Sequence, residues 1–79
     1  MIQLYREPLS PEGDQIESAL REMVVGYQRV DVTLAEAASL LGTNVSLPAL
    51  KDGEQIASGK ESLSRFLADL EQFVHDWHT

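Results

Sequence analysis

Cysteine is missing from this chain altogether. Its absence excludes disulfides, thiolate metal ligands and thiol redox chemistry together. A chain of 79 residues without cross-links must hold itself together by packing, so most of its large apolar residues are expected to be structural. Basic residues are scarce: six Lys and Arg stand against thirteen Asp and Glu, giving a formal net charge of -7. Phosphate backbones and anionic lipid surfaces both select cationic proteins, so neither nucleic acid nor a membrane surface is an expected partner. No apolar run approaches the roughly 20 residues needed to span a bilayer. The opening stretch, Met1 to Glu7, has no basic segment followed by an apolar one. No signal peptide is read there, and the expected location is the cytoplasm. No internal repeat, linker or low-complexity segment breaks the chain. One domain over 1–79, monomeric and without a required cofactor, is expected.

What is present is strongly patterned. Residues 2–5, Ile-Gln-Leu-Tyr, alternate and read as a strand. Ser10 followed by Pro11 is a helix start, with Ser as N-cap, Pro at the first helical position and Glu12 in the first turn. Ile16, Ala19, Leu20 and Met23 follow at helical spacing, and Gly26 is expected to close the helix. Residues 27–32 alternate again as a second strand, with Val30 and Val32 on one face. Thr33 with Glu36 makes a capping box for a second helix, whose apolar side is Leu34, Ala37, Ala38 and Leu41 and whose end is Gly42. Residues 45–50 read as a third strand interrupted by Pro48. The Asp52-Gly53 pair marks a tight hairpin into a fourth strand over 54–57. Ser58-Gly59 breaks that strand. Leu63, Phe66, Leu67, Leu70, Phe73, Val74 and Trp77 then recur at spacings of three and four, predicting a last helix packed hard against a sheet. The order β-α-β-α-β-β-α, with a right-handed parallel crossover first and a hairpin last, predicts a mixed four-stranded sheet with helices on both faces.

Several residues carry a resemblance at this point. Tyr5 ends a strand five residues before Ser10. Ser10-Pro11-Glu12-Gly13 stands where a Cys-Pro-x-Cys turn would open the first helix, and Pro8 matches a proline common in that loop. Leu47-Pro48 is similar to a cis-proline dipeptide, and Ser58-Gly59-Lys60-Glu61 to a Gly-Gly-x-Asp turn before the last helix. Over nearly its whole length the chain resembles the glutaredoxin form of the thioredoxin fold, shared by the N-terminal domains of glutathione S-transferases. The resemblance implies an α/β sheet in strand order 2-1-3-4, with the first and last helices on one face and the middle helix on the other. It also implies a redox-inactive version. Ser10 and Gly13 occupy the two cysteine places, and a serine hydroxyl is far less acidic than a thiol and forms no disulfide. Glu7 stands where a basic residue is often found, with Arg6 beside it.

The candidate site follows from the same resemblance. Ser10 is a helix cap on its residue type alone, and by resemblance a hydrogen-bond donor to a glutathione thiolate. A cis Pro48 would expose the backbone of Leu47 to the cysteinyl backbone of glutathione. Gly59, Lys60 and Glu61 would receive a γ-glutamyl group at a helix N-terminus, or serve as an ordinary breaker and a solvated first turn. Glu71, His75 and His78 share a helical face with metal-ligand spacing, but they lie at the chain end, and no metal site is expected there. No Ser-His-Asp group or carboxylate pair points to hydrolysis. The expected function is a binding or interaction module for a protein partner or a small thiol such as glutathione. The alternative is a minimal glutathione-dependent transferase using Ser10, which would lack the helical second domain that supplies much of the co-substrate site in those enzymes.

Overall fold

A computed structural model describes residues 1–42 and 44–77, with side chains up to Val74. Seven elements follow in the expected order: β1 (Ile2–Arg6), α1 (Pro11–Glu22), β2 (Tyr27–Asp31), α2 (Leu34–Leu41), β3 (Ala49–Asp52), β4 (Gln55–Ser58) and α3 (Lys60–Trp77). The four strands form one sheet in the order β2-β1-β3-β4. The β1–β2 pair is parallel, and the β1–β3 and β3–β4 pairs are antiparallel.

Strand alternation divides the core between the two faces of this sheet. Ile2, Leu4, Leu50 and Ala57 point to one side, where Ile16 and Leu20 of α1 and Leu63 of α3 cover them. Tyr5, Val32 and Ala49 are packed on the other side with Ala37 of α2. Of the apolar side read for α2, Ala37 is fully buried while Leu34, the first residue of this short helix, remains half exposed.

Helix ends are set by local chemistry. The Ser10 side chain accepts the Gly13 N–H at 3.0 Å, and Pro11 occupies the first helical position. Thr33 and Glu36 complete their reciprocal capping box. The C-terminus of α1 differs from expectation. The helix stops at Glu22, before Gly26, through a Schellman arrangement in which the Val25 N–H reaches the Leu20 carbonyl and the Val24 N–H reaches that of Arg21. The left-handed position is held by Val24, at φ 56°, where a β-branched residue is disfavoured. Val24→Gly is therefore expected to raise stability by about 0.5–1 kcal/mol, after the entropic cost of glycine, as measured by urea denaturation.

Two further boundaries move. β3 begins at Ala49, after Pro48 rather than around it, since proline cannot donate to the ladder. The hairpin loop is Gly53-Glu54, between the paired residues Asp52 and Gln55, with positive φ at Gly53 alone. That is the pattern of a type II′ turn. The largest difference concerns α3. Leu63 is buried and Phe66, Leu67 and Leu70 are partly so, but Phe73 is 60% exposed. A helix of 18 residues runs about 27 Å, whereas β4 beside it has 4 residues and spans about 13 Å. The stripe outlasts the sheet. The side chain of Trp77 lies outside the described residues.

Candidate functional site

The register of the sheet decides what meets at its end. Tyr5 of β1 lies opposite Ala49 of β3, and Ala49 lies opposite Ser58 of β4. The chain leaving β1, the chain entering β3 and the chain leaving β4 therefore emerge side by side. Those are the segments 7–13, 46–48 and 59–61, far apart in sequence. The Leu47-Pro48 peptide is cis. Gly59 adopts φ 84°, and its carbonyl accepts the Leu63 N–H, so α3 starts abruptly from β4.

An open cleft of about 630 Å³ lies at this junction. Leu47, Pro48, Gly59 and Lys60 line it, together with Glu12 and Gln15 of α1. Ser10 and Glu61 are not among the lining residues. Ser10 is occupied as the cap of α1, and Glu61 is exposed on the first turn of α3. Among the described residues, the backbone of Leu47 makes no backbone hydrogen bond outside the ladders, and it precedes β3. It thus offers a short free edge beside the cis-proline. His78 and the side chain of His75 lie outside the described residues.

The residue that organises this corner is Arg6, noted in the sequence only as the basic neighbour of Glu7. Its side chain is fully buried. Nε donates to the Glu7 carbonyl at 3.0 Å, and one terminal nitrogen donates to the carbonyls of Pro8 and Ser10 at 3.1 and 3.2 Å. The other donates to the carboxylates of Asp14 at 2.7 Å and Glu17 at 2.6 Å. One guanidinium thus ties down the loop before α1 and pairs with the helix itself. It also explains Gly13. A Cβ at that position would lie 2.9 Å from both Cζ and Nε of Arg6. The place of the second cysteine in the resembling loops is filled from below by arginine.

Glu17 is the hub of the polar cluster. Only 4% exposed, it accepts from Arg6, from the Tyr27 hydroxyl at 2.7 Å and from Arg29 at 3.3 Å. The network joins β1, α1 and β2, and among the described residues no buried side-chain polar atom lacks a partner. Burial, and then the hydrogen bond to the Glu17 carboxylate, push the Tyr27 phenol above its ordinary pKa. The raised value means that the fold prefers the neutral phenol. Between the ordinary value near 10 and the raised one, the unfolded chain ionises first, so stability falls as pH rises through that window. A phenolate absorbance titration should show the Tyr27 component, identified as the part missing in Tyr27→Phe, above pH 10. A midpoint at or below the ordinary value would contradict the Glu17 contact.

No family model matches the chain, and no curated protein matches it in sequence. Among solved structures, the chain is similar to glutathione S-transferase III in its apo form, with a TM-score of 0.70 and 25% identity over 89% of this chain. The match covers 35% of that protein, so this chain spans about a third of its length. The fold is the thioredoxin-like fold of a glutathione S-transferase N-terminal domain, here without a single cysteine.

Proposed function

We propose that the chain is a redox-inactive, thioredoxin-fold binding module of the cytoplasm, whose cleft takes a peptide-like ligand of the glutathione type. The observation that carries this reading is the convergence of Leu47-Pro48, Gly59-Lys60 and the start of α1 on one cleft. The ligand's groups match what stands there. A peptide backbone pairs with the free edge at Leu47, in the manner of an added strand. A carboxylate lies toward Lys60 and the N-terminus of α3. Glu12 in the cleft wall and the net charge of -7 oppose an anionic ligand, so the affinity expected for glutathione is about millimolar.

The test is a titration of isotope-labelled protein with reduced glutathione to about 10 mM, followed by NMR. Shifts confined to residues 9–13, 47–48 and 59–61 are the expected result. An unperturbed spectrum at that concentration removes the glutathione ligand and leaves a protein-binding module. The second reading, a transferase using Ser10, has one observation in its favour: the Ser10 oxygen accepts the Gly13 N–H, which leaves its own proton free to donate. Its signature is conjugation of glutathione to chlorodinitrobenzene that disappears in Ser10→Ala.

A further inference from the structure

We infer that the groove between α1 and α3 docks an amphipathic helix with basic flanks, carried by a partner protein. The cleft at the sheet end does not stop there. A second hollow of about 490 Å³ adjoins it, and Ser64 and Leu67 line both. Together they form one channel along the outer face of the two helices. Both helices start at the sheet end and run away from it. From Lys60 to Glu71 the channel extends about 16 Å, three helical turns. That length suits apolar anchors at positions i, i+4 and i+7 of a docked helix.

The floor of the channel is apolar: Ile16, Ala19, Met23, Leu63, Leu67 and Ala68. Its rim is acidic. Glu12, Glu22 and Glu71 stand along it, all exposed and none in an ion pair among the described residues. This contrasts with Asp14, Glu17 and Asp31, which Arg6 and Arg29 neutralise. Among the described residues, Lys60, at the sheet end, is the one cation lining either hollow. The far end is more negative still, because the C-terminus of α1 adds its partial charge beside Glu22 and Glu71.

Charge selects the occupant. A second copy of this chain, also at -7, would bring like charge to an acidic rim, and an anionic lipid surface would do the same. An apolar stripe flanked by Lys and Arg satisfies both floor and rim. The inference rests on the chain being a binding module and is independent of glutathione.

The probe is a synthetic peptide of about 16 residues, with Leu at spacings of three and four and Lys elsewhere. Its control has Glu in place of every Lys. Binding of the Lys peptide, with NMR shifts along residues 12–23 and 63–71, is expected, and the Glu peptide should leave the spectrum unchanged. Glu22→Lys with Glu71→Lys, both on the surface, should weaken binding about tenfold or more, and Glu22→Gln with Glu71→Gln by a smaller factor. Equal binding of both peptides, shifts on the β4 edge or the α2 face, or no binding at about 1 mM would overturn the inference. If glutathione leaves the protein unperturbed while the Lys peptide binds, the ligand reading alone falls. The reverse outcome removes only the docking groove.

Discussion

Arg6→Met should destabilise the fold by about 3–5 kcal/mol in urea denaturation, because it leaves the Glu17 carboxylate buried without its closest cation. The salt bridge to Asp14 adds little to that figure, since Asp14 is mostly exposed and its charge is well solvated without Arg6. The loss includes the loop. Three carbonyls, of Glu7, Pro8 and Ser10, give up their guanidinium donors at once. A domain of this size has a total stability of about 5–10 kcal/mol, so the single change takes a large share of it. The mechanism predicts a characteristic non-additivity. Arg6→Met combined with Glu17→Met removes both charges and should recover a substantial part of the loss, although Tyr27 and Arg29 then lose their acceptor. If the double variant is as unstable as the two single losses summed, the pair is not the coupled unit described here. A loss below about 1 kcal/mol for Arg6→Met would place the guanidinium in water.

Leu20→Ala is the second large effect expected, at about 2–5 kcal/mol. Leu20 is completely buried on the inner face of α1, in the cluster with Leu4, Leu50 and Leu63. Alanine keeps the helix intact, so the loss reports the cavity and not the backbone. The same substitution at Leu70 should cost clearly less, about 1 kcal/mol, because Leu70 only packs against the margin of that cluster. Equal losses at the two sites would mean that α3 is covered along its length by something more than the sheet.

These contrasts show what the sequence carried. β1, the Ser10 and Thr33 caps and the Asp-Gly hairpin were readable, because each depends on residues within a few positions of one another; the cis form of Pro48 came from the resemblance. The convergence of the three site segments was readable only through the resemblance, since register between strands that lie distant in the chain has no local signature. The anchoring role of Arg6 was missed because an arginine after a strand-ending tyrosine looks like a solvated residue. A signal did exist. Arg6 falls on the face of β1 shared by Ile2 and Leu4, and Glu17 falls on the stripe of α1 between Ile16 and Leu20. Two opposite charges on two inward faces, with a glycine at 13, predict a buried pair over a missing side chain. The overreading of α3 has a different cause. Periodicity gives the face of a helix but not the length of the surface that receives it. A four-residue β4 set that length.

The central position of β1 also governs the order in which the protein can be made. It is the first of the four strands in the chain, and one of the two inner strands: its edges are filled by β2 after residue 27 and by β3 only after residue 49. At synthesis rates of about 5–20 residues per second, its second edge stays open for several seconds. During that interval Ile2, Leu4 and Tyr5 present a nascent segment that chaperones can recognise. The arginine that later locks the finished corner ends that apolar segment with a charge, the placement that opposes edge-to-edge aggregation while the strand stands open.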